Sequence, residues 1–345
     1  MRKTKILIVL PTLLLLAQSC SLNPLGGGQS FSGGVLKSVD SGENWELVNK
    51  VGEQGSLRPV SVARIRMDPA ERETLYLASP NQGVYQSTNS GGDWKKTLTG
   101  VRVYDLQVNL KDGNEIFAGG SRSDKAKLFK STDAAQTWIE VFTEARSNNF
   151  VSAVVYDRTS PKNVYIALST GEIILSKDSG STWDLLSKLE GRILKIAFAA
   201  GDSKKVYALS MEKGLYKSTD GGATWTIVGE KLGGAPYQDF LVLTNPGVIY
   251  LASASGLHRS VDDGATWERV ELPTNELSKV VSAVTVNPKD ANQIFAVIAQ
   301  TLYKSSDSGK TWQVKALPIS ASVRAMLIHP EETNIMYSAL GQVLQ

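Results

Sequence analysis

Ser176-Lys177-Asp178-Ser179-Gly180-Ser181-Thr182-Trp183 is one of seven copies of an octapeptide, Ser-x-Asp-x-Gly-x-Thr-Trp, and no tryptophan of the 345-residue chain lies outside them. The other copies run from Ser38 to Trp45, Ser87 to Trp94, Ser131 to Trp138, Ser218 to Trp225, Ser260 to Trp267 and Ser305 to Trp312. Their starts are 49, 44, 45, 42, 42 and 45 residues apart. Self-similarity at such a period marks a repeat architecture, and the length fits one four-stranded propeller blade per copy.

Each residue type in the octapeptide has a local reason. An aspartate at the third place (Asp40, Asp133, Asp178, Asp220, Asp262, Asp307) can turn its carboxylate back onto the N–H groups of its own turn. The glycine two places on can take positive φ without a Cβ clash. The tryptophan then opens the next strand with a large apolar surface, suited to the space between neighbouring blades. Two copies depart from the pattern at its aspartate or glycine: Asn89 keeps the acceptor without the charge, and Ala135 replaces the glycine. These two corners are expected to be weaker.

Between the copies a second pattern recurs. Val151 to Tyr156, Asn163 to Leu168, Gly171 to Ser176 and Trp183 to Leu186 read as four strands by length and period-two alternation. Six octapeptides have two such strands before them, but the first, at Ser38, does not. The missing pair stands at the other end, in Ser322 to His329 and Asn334 to Leu340. A seventh blade completed by both termini would close the ring and remove exposed strand edges. Gly341 to Gln345 echoes Gly34 to Lys37, so two segments compete for the third strand of that blade.

The repeat resembles the Asp-box, or bacterial neuraminidase repeat, of sialidases, sortilin-type receptors, two-propeller xyloglucanases and photosystem II assembly-factor propellers. Seven copies in register make the resemblance specific over residues 33–345. It implies an all-β, seven-bladed propeller of four-stranded antiparallel blades. It does not by itself imply an activity, because enzymes and non-enzymes share the repeat.

Residues 1–19 have the form of a secretory signal: Arg2, Lys3 and Lys5, then the apolar run Ile6 to Leu16. Small residues precede Cys20, the only cysteine, and this junction resembles a bacterial lipobox, which implies lipid on Cys20. Eleven residues interrupted by Pro11 are too few to span a bilayer core of about 30 Å. Residues 20–32, with Gly26, Gly27 and Gly28, read as a flexible tether. The signal holds three of the 37 Lys and Arg, which leaves 34 against 34 Asp and Glu. Broad binding to nucleic acid needs a basic excess or stripe, and neither is present. An exported domain with no second cysteine depends on packing between blades rather than on disulfides.

The sequence offers little catalytic machinery. Arginines that would converge on a sialoside carboxylate are scattered, and there is length for one propeller where the xyloglucanase family uses a cleft between two. His258 replaces the tyrosine of Gly-Leu-Tyr-Lys-Ser and reads as a packed strand residue, while His329 precedes Pro330 in a surface turn. No His/Cys cluster has metal-ligand spacing, and no metal or cofactor is expected. What differs between repeats lies on the innermost strands. Arg64, Asp105, Lys195 and Asp239 align at one position, where Ala153, Ala283 and Ala325 occupy the other blades, and Arg324 lies one register over. Charges at a channel mouth either hold a peptide segment or pair with one another across water, and the residues favour pairing. Longer segments at Asn49 to Pro59 and Gly119 to Lys127 are places for recognition.

The expected function is therefore a non-catalytic, monomeric scaffold that binds another protein at a bacterial membrane surface, facing the periplasm or the cell exterior. A carbohydrate-active propeller is the alternative, weakened because every tryptophan is committed to an octapeptide. On this reading, Cys20→Ala moves the protein from the membrane fraction to the soluble fraction after cell lysis. Immunoblotting of the two fractions measures it, and continued tight membrane association overturns the anchor.

Overall fold

A computed structural model describes residues 33–229, 232, 234–243, 247–274 and 279–341. The signal, the tether and Cys20 lie outside the described residues. Seven four-stranded antiparallel sheets form the blades of a ring. Blades 1 to 6 follow one another in sequence, their innermost strands beginning at Arg64, Arg102, Val151, Ile193, Tyr237 and Val281. Blade 7 joins Ser322–Ile328 and Met336–Gly341 to Gly34–Ser38 and Glu46–Leu47. The third place in that blade belongs to Gly34–Ser38, paired with its neighbour from Gly34↔Leu340 to Ser38↔Met336. Residues 342–345, the competing segment, lie outside the described residues.

In the octapeptide at Ser176 the serine hydroxyl donates to Asp178 Oδ1 (2.8 Å) and accepts the Gly180 N–H (2.7 Å). The same carboxylate accepts the Thr182 N–H through Oδ1 (2.8 Å) and the Thr182 hydroxyl through Oδ2 (2.6 Å). The threonine thus has its own purpose in the repeat. The turn needs two successive left-handed residues rather than one: Ser179 has φ 56° and Gly180 φ 88°. At the departing corners the hydrogen bonds survive, with Asp93 N–H on Asn89 Oδ1 and Thr137 N–H on Asp133 Oδ1, both at 2.8 Å. The difference at the third copy is elsewhere. Ala134 and Ala135 adopt φ 55° and 67°, a conformation that costs an L-residue roughly 1–2 kcal/mol. The buried Trp138 Nε1 also has no partner there.

The apolar core is divided among the gaps between blades. Seven clusters of buried side chains each join two neighbouring blades, and each contains one octapeptide tryptophan. Trp94, for example, packs with Val35, Tyr337 and Leu57 against Leu75 and Leu77, which joins blade 7 to blade 1. Its Nε1–H donates to the Val48 carbonyl at 2.7 Å, and Trp183 reaches back to Val141 in the same way. Every corner is therefore stapled to the blade before it by area burial, several of them also by a directed bond.

Local readings are corrected at three places. His329 is buried, and its Nδ1 accepts the N–H groups of Glu331 and Glu332, because it caps the turn that Asp68 and Asp157 cap in their blades. Gly119 to Lys127 is no loop. It belongs to the long strands Ile116–Arg122 and Lys125–Ser131, joined through Ser123 and Asp124 in left-handed conformation. Asn49 to Pro59 holds a small hairpin, Lys50–Val51 with Gly55–Ser56.

The octapeptide carboxylates sit well below their ordinary range. Asp133, Asp178, Asp220, Asp262 and Asp307 are lowered from 3.8 to about 2, first by the threonine hydroxyl; Asp40 is lowered equally, first by the Asn44 N–H. A carboxylate with a depressed folded-state pKa stabilises the fold fully above its unfolded value, and that contribution is lost as pH falls through the folded value. The melting temperature is therefore expected to drop between about pH 4 and about pH 2. Asp178→Asn copies the Asn89 corner and makes the drop smaller; thermal melts across this range measure both.

Candidate functional site: the central channel

The innermost strands all run the same way through the ring, so their first residues share one face. The octapeptide turns, between the third and fourth strands, belong to the opposite face. Backbone registers confirm the alignment of the charged residues: Arg64 pairs with Ala78, Asp105 with Gly119, Lys195 with Leu209 and Asp239 with Ala252. These are equivalent positions in the second strands.

Just before this position the register slips in six of the seven blades, between Ala153 and Val151, Lys195 and Ile193, Ala325 and Val323, and at the matching steps of three others. A bulge opposes two residues to one and re-aims the side chains beside it. Tyr104, Ser152, Leu194, Gln238, Ser282 and Arg324 occupy the bulged positions, and all line the channel mouth. Arg324 enters the site by this route, although simple alternation placed it one register away.

The predicted charges fall into two groups. Asp105 is buried at 3% exposure, and its Oδ1 faces Arg66 Nη2 at 3.1 Å and Arg64 Nε at 3.7 Å. The same carboxylate accepts the N–H groups of Leu106 and Val154, both at 3.0 Å. Lys195 Nζ lies 2.8 Å from Asp239 Oδ1 and also donates to the Phe240 carbonyl. Arg64 Nη2 crosses from blade 1 to blade 4 and donates to the Leu194 carbonyl at 3.0 Å. The pairing expected from the sequence is thus what these four residues do. Arg324 stands apart, with no hydrogen bond or ion pair among the described residues.

The channel holds two cavities that share no lining residue, and Arg64 lines the first. The one at the face where the innermost strands begin has a volume of about 190 Å³. Its walls include Tyr104 stacked on Phe150, with ring centroids 4.2 Å apart, and the Arg192 guanidinium 5.6 Å from the Phe150 centroid. Arg64, Arg192 and Arg324, which look scattered in the sequence, therefore meet in one opening. Burial first, and then the Arg64 charge, push Arg324 down to about 10. The second cavity, of about 260 Å³, is lined by Arg66, Gln107, Arg158, Lys195 and Phe198. Burial lowers Arg66, while Asp105 opposes the shift. A third hollow, of about 390 Å³, lies between blades 1 and 2 beside Lys96, Arg102 and Arg122.

Of the residues singled out in the sequence, Arg64 and Arg324 line the first cavity and Lys195 the second, while Asp105 and Asp239 pair beneath them; Arg66, Tyr104, Phe150 and Arg192, not singled out as site residues, line the cavities too. Arg66 was available by period-two alternation from Arg64. Phe150 and Arg192 each precede a bulged residue by two places, a signal that exists only once the bulge is known. His258, as expected, is a packed strand residue, 7% exposed, with burial lowering its pKa.

Residues 185–344 match the family model described as Photosynthesis system II assembly factor YCF48, and residues 33–170 match that of Sortilin, neurotensin receptor 3. The chain is similar to the photosystem II assembly lipoprotein Ycf48 of Picosynechococcus, 28% identical over 158 residues, 44% of this chain and 42% of that protein. It is also similar to a xyloglucanase of Hypocrea jecorina, 25% identical over 158 residues, 42% of this chain and 18% of that one. The matches thus span less than half the length of these relatives. In fold, the structure of YCF48 bound to D1 peptide aligns with a TM-score of 0.62 at 16% identity, covering 83% of this chain and 94% of that one. The GH74 xyloglucanase from Xanthomonas campestris aligns with a TM-score of 0.67 at 17% identity, covering 82% and 51%.

Removing the shared carboxylate tests the ionic cluster. Asp105→Ala leaves Arg64 and Arg66 without their counter-charge and is expected to cost about 3–5 kcal/mol, the usual penalty for breaking a buried ion pair from one side. Urea denaturation of the two proteins side by side measures it.

Proposed function

We propose that this chain, a Ycf48-like repeat propeller, is a non-catalytic scaffold that binds another protein, exported and held at a bacterial membrane by lipid on Cys20. The observation that carries the reading is the match of residues 185–344 to the family model of the assembly factor YCF48. The photosystem target of that relative is not transferred, since no residue here specifies it.

The channel chemistry supports the same reading. A glycosidase of the usual kind needs two carboxyl groups about 5–9.5 Å apart, one of them ready to give a proton. Asp105 and Asp239 are each held by a cation and by backbone N–H groups. Both carboxylates are thus committed to bonds within the ring rather than free to face a substrate. The alternative reading, a carbohydrate-active propeller, draws its support from the xyloglucanase likeness.

Two measurements separate them. Cross-linking in the native cell followed by mass spectrometry is expected to recover one recurrent protein partner, attached through lysines around a single face of the ring. Purified protein incubated with xyloglucan and sialosides is expected to release no sugar above background. Cleavage of either would replace the scaffold reading with the enzymatic one.

A further inference from the structure

We propose that the cavity at the face where the innermost strands begin is a binding site for an apolar carboxylate of about one residue's size. Arg324 and Arg192 would hold the acid group, and Tyr104 with Phe150 the apolar body. The inference is independent of the scaffold reading, because it concerns what one cavity recognises and not what the ring assembles.

Charge is the first argument. Three guanidinium groups line this opening, and among the described residues no carboxylate does. Glu212 accepts the Arg192 backbone N–H at 2.7 Å, and Asp105 and Asp239 are engaged one step deeper by Arg66, Lys195 and backbone N–H groups. Arg64 directs two of its nitrogens to the carbonyls of Ala63 and Leu194. Arg192 lies over Phe150, its guanidinium making no hydrogen bond among the described residues, and Arg324 makes none either. The lowered pKa of Arg324, set by burial and by Arg64, is that of a cation without enough counter-charge. An anion in the cavity would supply it.

The walls decide what kind of anion. Leu194, Met211 and the stacked Tyr104 and Phe150 give the cavity an apolar side, which an inorganic phosphate would leave unused. A carboxylate takes two parallel N–H bonds from one guanidinium, so a single arginine satisfies it in a defined orientation. Gln238, whose side chain makes no hydrogen bond among the described residues, adds a neutral donor and acceptor at the rim. The cavity volume of about 190 Å³ limits the size of the ligand. Such a ligand could be a free small acid or the apolar carboxyl end of a chain, and the two share this chemistry.

Isothermal titration calorimetry of the full-length protein provides the test. Phenylacetate is titrated against phenylacetamide, and a short peptide ending in phenylalanine against its C-terminal amide. Each binding acid is expected to exceed its amide at least about tenfold, the order of one charge-assisted fork. Arg324→Gln and, separately, Arg192→Gln are expected to erase that ratio while thermal melts stay near the parent's. Arg192 is the second variant in case Arg324→Gln impairs folding. Binding by phenylacetate alone identifies a free acid as the ligand class, and tighter binding by the peptide identifies a chain end. Equal binding of acids and amides, no binding of either acid at millimolar concentration, or an unchanged ratio in both variants overturns the proposal.

Discussion

A ladder of five residue pairs, Gly34 to Ser38 against Leu340 to Met336, turns a row of blades into a ring. Every other sheet is built from consecutive strands, so it would form whether or not the ring closed. Only this one pairs residues about three hundred positions apart. Its formation places Val35 and Tyr337 in the gap to blade 1, and Leu36 and Met336 in the gap to blade 6. Glu43, bonded to Lys304 and Lys315, adds a clasp on the second side. Closure of a sheet array removes the edges that would otherwise pair with other chains. It also brings Arg324 of blade 7 to the same opening as Arg64 of blade 1, so the site inherits its shape from the ladder.

The fold was legible because the repeat obeys local rules at each copy. Serine, aspartate, glycine and threonine satisfy one another within eight residues, and such short-range chemistry can be read without knowing the rest of the chain. What stayed hidden depends on neighbours. The left-handed residue before each glycine includes Ser179, Asp263 and Ala134, side chains that give no sign of that conformation. The bonds from Trp94 to Val48 and from Trp183 to Val141 run about forty residues backwards and need the blade before them. At Ala135 the sequence shows only that the glycine is replaced. Part of its cost lies in the unpartnered Trp138 nitrogen, which the sequence does not reveal.

The site was half legible for a related reason. Alternation along a regular strand finds Arg64, Asp105, Lys195 and Asp239, since each holds the same place in its blade. A bulge breaks alternation, and no residue type announces it. Arg324 and Tyr104 enter the mouth through bulged positions, and Phe150 and Arg192 arrive from just before them. Three arginines scattered over blades 1, 4 and 7 become neighbours only because the ring has an axis.

The division of labour among strands explains why variation gathers where it does. Second and third strands are buried along almost their whole length between blades, as in Leu75–Ser79, Val164–Leu168 and Ile249–Ser253. A charge placed there would lose hydration without a partner. Innermost strands face the channel, where a charge finds water or an opposite charge across a few ångströms. Asp105 and Lys195 settle the matter by pairing, which stiffens the ring but uses up their capacity to bind anything else. Among the described residues Arg324 has no such partner. Where Asp105, Lys195 and Asp239 are compensated, Arg324 and Arg192, unpaired at the mouth, mark where a ligand would gain most from binding.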